Sequence, residues 1–178
     1  MSNNIHFPGV KDGDVFEVAG ISFIKFPDEG GITPVVAKEI QFSSTFGDNN
    51  NLAESRVLRR LQDEWLPKVI QAVGDENLCE ICTDLTTLDG LKPYQPLHSL
   101  VSLPTMEFYR KHVAIFDRYK LDEWWWLATP ESAQPHDDPY WTLCVAPSGR
   151  IGHDYCVRLD GVRPFLTLKS SIFGSSEA

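Results

Sequence analysis

Three consecutive tryptophans, Trp124-Trp125-Trp126, lead into Leu127-Ala128-Thr129, and this run constrains the fold more than any other stretch of the chain. Aromatic and β-branched residues of this kind favour a strand, where successive side chains leave opposite faces. The indole rings therefore project to both sides of a sheet, and at least one of them supports the outer surface or a loop. Similar residues recur at 141–146, near 155–158 and at 165–168, which predicts a C-terminal antiparallel sheet. Pro147-Ser148-Gly149 suits the tight connection that follows the Trp141 strand.

The chain ahead of this region reads differently. Residues 14–18 and 21–26 alternate or run apolar around Ala19-Gly20, as a hairpin does, and a third strand follows Gly30-Gly31 over 33–40, with Phe42 continuing it. A helix is expected from about Asn51, with Leu58, Leu61, Trp65 and Val69 recurring at helical spacing and Pro67 ending or kinking it. Residues 77–95 read as a strand entering a long ordered loop. A second helix is capped by Ser102 or Thr105, with Pro104 in its first turn and Met106, Tyr109, Val113 and Phe116 on its apolar face. These elements give an α+β fold: N-terminal strands, two main helices and the C-terminal sheet in a single domain over 14–173, with flexible tails at 1–13 and 174–178.

The 178 residues are about one domain's length, and the 25 acidic against 16 basic side chains give a net charge of -9 that repels phosphate backbones. General nucleic-acid binding is therefore not expected, and the basic residues at 56–60 and 110–120 read as solvated helix faces. The apolar runs are far shorter than the roughly 20 residues that span a bilayer, and the start lacks the pattern of a secretory signal. A cytoplasmic location, in a bacterial host cell or associated with a virion, follows as the expectation. Cys79-Glu80-Ile81-Cys82 has redox or half-zinc spacing but no partner pair among Cys144, Cys156, His136 and His153, so neither a metal nor a cofactor is expected. The histidines lack a nucleophile elbow, a phosphate loop or a metal-binding helix motif, and the chain reads as a non-enzyme.

The Trp124-Trp125-Trp126-Leu127-Ala128-Thr129 strand, the strand ending in Pro147-Ser148-Gly149, and the closing Gly161-Val162-Arg163-Pro164-Phe165 together resemble an uncharacterised bacterial and phage domain family with WWL and GVRP motifs. The likeness covers residues 14–173 and extends to the order of the upstream helices. That ending is similar in turn to the C-type-lectin-like fold of retroelement-diversified variable proteins and formylglycine-generating enzymes. The resemblance implies a C-type-lectin-like domain, with ligand variability near the C-terminus in the diversified relatives. Cys144 and Cys156 do not reproduce the closely spaced reactive pair of the enzymes, and Asp137-Asp138 alone does not supply a lectin's calcium loop. Arg163 is expected inside the fold, fastening loop carbonyls or a carboxylate.

Between the two most recognisable strands lie Arg150, His153, Asp154, Tyr155, Arg158 and Asp160, which combine donors, acceptors and an amphipathic ring as adaptable binding surfaces do. This stretch is the candidate ligand-binding hairpin, flanked by an exposed loop at 132–140; the alternative is a solvated hairpin. The expected function is a phage or prophage binding module holding a protein ligand. A virion structural or self-assembling protein, forming a homo-oligomer through the same surface, and an acidic inhibitor of a host defence nuclease are the alternatives.

Overall fold

A computed structural model describes residues 5–136 and 138–174 as one α+β domain. Ala19 and Gly20 both take positive φ, 54° and 74°, and close the hairpin of β1 (Val15–Val18) and β2 (Ile21–Lys25). Positive φ at both central residues matches the turn to the right-handed twist of its strands. β3 (Ile32–Ala37) follows, and β4 (Phe42–Thr45) is a separate strand in another sheet. The chain therefore does not continue β3 through Phe42 but changes layer at 38–41.

Four strands form one sheet in the order β1-β2-β3-β11, where β11 is Phe165–Lys169. Five form the second, in the order β4-β10-β7-β8-β9, from β7 (Trp125–Pro130), β8 (Trp141–Val145), β9 (Ile151–Tyr155) and β10 (Leu159–Val162). This C-terminal sheet is mixed and not antiparallel throughout, because β10 runs parallel to β7. The two remaining short strands, β5 (Ile81–Thr83) and β6 (Leu97–Ser99), pair with each other.

The Trp run places its rings as a strand must. Trp125 enters one core with Tyr109, Phe116, Leu143 and Val145, and Trp126 enters the other with Phe46, Cys144, Cys156 and Val162. Trp124 precedes β7 and is 37% exposed. Both faces of the five-stranded sheet are thus covered around β7, as the burial of all six β7 residues records.

The first helical run begins with a single turn at Leu52–Glu54, capped by Asn51, and α1 (Arg56–Arg60) starts behind its own cap, Ser55, whose Oγ accepts from Leu58 N at 2.9 Å. Pro67 does not end the run. A π-helical turn at Leu61–Trp65 widens the backbone just before it, and α2 (Leu66–Val73) carries the proline in its first turn, where the missing N–H costs least. In the second run Thr105 is the cap of α3 (Met106–Lys111), while Ser102 bridges to β11. The backbone breaks at His112, which separates α3 from α4 (Val113–Phe116), and Val113 is 41% exposed instead of joining the apolar face.

Arg163 ties the layers together. It is 1% exposed, donates from Nε to Ala37 O at 3.0 Å and from a terminal nitrogen to Lys38 O at 2.9 Å, and lies over the Trp125 ring. These carbonyls sit where β3 leaves for β4, and Arg163 itself sits where β10 leaves for β11. One guanidinium thus clamps both crossovers between the large sheets. Burial pushes its pKa down to about 10.

The expected tail boundary at residue 13 falls inside packed structure: Phe7 N donates to Ile172 O at 2.7 Å, and the Phe7 ring meets Phe16 and Phe173. Residues 1–4 and 175–178, the remainder of the tails expected from sequence, lie outside the described residues. Among the described residues, no helix is long and apolar enough to cross a membrane.

Candidate functional site

The stretch 150–160 is not itself a hairpin. Its first half is β9, paired to β8 across the Pro147-Ser148-Gly149 turn, and its second half is β10, which pairs with β4 and β7. The segment therefore runs from the outer edge of the sheet to its interior, and the expected site residues divide accordingly.

Arg150 and His153 belong to the edge. With Gly152, Trp124, Glu131 and Leu88 they line a concavity of about 480 Å³. A Cβ on Gly152 would lie 2.8 Å from the Trp124 ring, so glycine is what lets the indole rest on the β9 backbone. His153 Nδ1 contacts the Glu131 carboxylate, and its ring packs against Trp141 at 4.7 Å between centroids.

Tyr155 stacks on Trp141 at 3.6 Å, as their direct cross-strand pairing allows, and is 44% exposed. It lines a second hollow, of about 280 Å³, with Tyr140, Val157, Cys156 and Asp48. Asp154 is half-buried opposite Thr142, and Arg158 is exposed, with Nε 4.0 Å from the Asp154 carboxylate.

Asp160 does not join this surface. It sits on β10 opposite Ser44, is 8% exposed, and its Oδ2 has no hydrogen-bond partner among the described residues. Burial, reinforced by the Asp154 charge and only partly offset by Arg158, pushes its pKa up to about 6. It is a buried carboxyl within the sheet and not an exposed surface group.

The sequence reading did not name Val157 and Leu159, and it placed Tyr140 only within the flanking loop, so the apolar half of the surface went unread. Among the described residues, eight large hydrophobic side chains are exposed, and five of them line these two hollows: Leu88, Trp124, Tyr140, Tyr155 and Val157, the last 70% exposed; Leu159, 71% exposed, follows two residues on at the start of β10. The available signal was the alternation of Val157 and Leu159 with Arg158 and Asp160, which a strand entering solvent would show.

The loop at 132–140 flanks the surface but is not exposed throughout. Ser132 and Ala133 are buried, and Ser132 Oγ donates to Asp89 Oδ2 at 2.6 Å. That bond, with those from Thr87 and His136, holds the Asp89 carboxyl at a pKa of about 2. Asp137, half of the acidic pair considered for calcium, lies outside the described residues. Cys144 and Cys156 are buried, and loss of solvation pushes their thiols up to about 12 and about 11, which leaves them protonated and inert.

Comparison with known proteins returned no match: neither a protein family, nor a curated protein, nor a solved structure matches the chain.

Proposed function

We propose that the protein is a binding module that holds a protein partner, without chemistry at the contact, on the outer edge of the five-stranded sheet. The concentration of exposed apolar and aromatic side chains around β9 and the β9–β10 turn carries this reading. Single exposed hydrophobics are ordinary, whereas a contiguous set rimmed by polar groups marks an interaction surface. The set has the composition of such a surface, with Tyr155 and Trp124 as rigid rings and Arg150, His153 and Arg158 as rim donors. Among the described residues β9 pairs with β8 alone, and its other side offers backbone groups for an added strand.

The motifs around β7 and Arg163 support a C-type-lectin-like fold and a phage or prophage setting for this module. Arg150 and Arg158 place positive charge on the surface of an acidic chain, which disfavours a nucleic-acid mimic at this edge. Tagged protein incubated with bacterial lysate should retain a specific partner that a Tyr155→Ser/Val157→Asp variant, folded by circular dichroism, does not retain. Light scattering of the same preparations separates the rival reading: concentration-dependent assembly lost in the variant, with no heterologous partner, would replace the binding module by self-association.

A further inference from the structure

A second cluster stands apart from this surface, on the β5–β6 ribbon. Cys82 and His98 are direct cross-strand partners, with Cys82 Sγ 3.9 Å from His98 Nε2, and His98 Nδ1 is 3.0 Å from Glu80 Oε1. Strand alternation puts Glu80 and Cys82 on one face, and the inward positions are taken by Ile81 and Thr83, which are buried. A carboxylate only accepts, so in the neutral imidazole Nδ1 carries the proton and donates to Glu80, which leaves the Nε2 lone pair turned toward the thiol. The order is thus nucleophile, base and orienting carboxylate.

The cluster adjoins a cavity. Glu80 and Cys82 line a pocket of about 290 Å³ whose walls include Ile81, Leu103, Phe108 and Phe165. Its size is close to the lower end of the roughly 300–1,000 Å³ typical of small-molecule sites. Cys79, by contrast, is pinned to β11 by its backbone, which donates to Thr167 O at 2.8 Å and accepts from Thr167 Oγ1 at 2.9 Å. The two cysteines of the sequence pair therefore have different surroundings, and only Cys82 faces a base.

We propose that Cys82 is an acyl-accepting nucleophile, with His98 as its general base, Glu80 as the positioning residue, and a short apolar acyl ester or thioester as the substrate class. Sulfur forms a bond to the acyl carbon as His98 Nε2 takes the thiol proton. The carbon–heteroatom bond of the substrate then breaks, and the leaving alcohol or thiol receives that proton. Water, deprotonated by His98, next attacks the thioester, releasing the carboxylic acid and restoring the Cys82 thiol. The acyl chain lies along Phe108 and Leu103, and the three polar groups lie at the solvent side, where His98 and Glu80 are 60% and 68% exposed.

The probe is p-nitrophenyl butyrate on the full chain, read by nitrophenolate release and by mass spectrometry of the modified peptides. A burst of release with butyryl on Cys82 and not on Cys79 is expected, and Cys82→Ala should abolish it. Removing the base in His98→Gln should slow acylation by about a hundredfold, the scale of general-base catalysis. Glu80→Gln should slow it less and displace its pH profile, with Glu80→Asp restoring the wild-type profile, a readout that a merely structural carboxylate would not move. Equal labelling of Cys79 and Cys82, or wild-type acylation in a folded His98→Gln, overturns the proposal. Partner capture at the β9 edge is a separate measurement and is unaffected by either outcome.

Discussion

Replacing Asp160 by Asn should stabilise the protein, and by an amount that depends on pH. The carboxyl sits on β10, its Oδ2 has no hydrogen-bond partner among the described residues, and its pKa is raised from 3.8 to about 6, chiefly by burial and then by Asp154. Such a group holds its proton more tightly in the folded chain than in the unfolded one. Its charge costs nothing below pH 3.8, the cost grows as pH rises through 6, and it is constant above. The full cost at neutral pH is at most about 3 kcal/mol, and the relaxation and polarisability of a real protein interior reduce it to about 1–2 kcal/mol. The amide keeps the shape and removes the charge. Urea unfolding should therefore show the variant about 1–2 kcal/mol more stable at pH 7.5 and equal to wild type near pH 4, with a melting temperature about 3–6 °C higher at the upper pH. A gain that is the same at both pH values, or a loss at pH 7.5, would refute the assignment of an uncompensated interior charge.

Other substitutions test the fold around the site. Arg163→Ala leaves the Ala37 and Lys38 carbonyls without their donor and empties the space beside Trp125; a loss of about 3 kcal/mol or more is expected from denaturant unfolding. Gly161→Ala sets a Cβ 2.3 Å from Ile40 Cδ1 and should cost about 1–3 kcal/mol, most of it recovered when Ile40→Ala is combined with it in a double-mutant cycle. Ser55→Ala removes the α1 cap and should cost about 1 kcal/mol, with faster amide exchange at Leu58.

Local chemistry decided which elements were legible in the sequence. The β1–β2 hairpin was readable because Ala19-Gly20 supplies a turn of the right hand between alternating residues, and the Trp run was readable because a strand leaves its rings no choice of face. Arg163 was readable as an interior residue because its long side chain, fixed beside Pro164, finds the carbonyls a crossover exposes. The break at His112 was not readable, since Met106 to Phe116 carries a continuous helical pattern and only the packing of the His112 ring between Phe26 and Phe108 reveals the interruption. Nor was the parallel pairing of β10 with β7, which joins residues separated by β8 and β9. The candidate edge site was half legible: its polar members stood out by type, while Val157 and Leu159 read as ordinary apolar residues until their exposure was seen. Asp160 shared their neighbourhood in sequence but lies in the sheet interior. The Cys82–His98–Glu80 alignment depends on pairing two three-residue strands across a long loop, and strands that short carry no periodic signal.

The most direct test of the binding surface compares polar replacement of exposed apolar side chains at two different places. Val157→Asp with Tyr155→Ser alters the β9–β10 edge, and Val15→Asp with Val113→Asp alters exposed apolar positions away from it. Titration calorimetry against the captured partner should show about a hundredfold or greater loss of affinity for the first variant, the scale of losing central anchors, and wild-type affinity for the second. Equal affinity in the edge variant and the wild type would contradict the account.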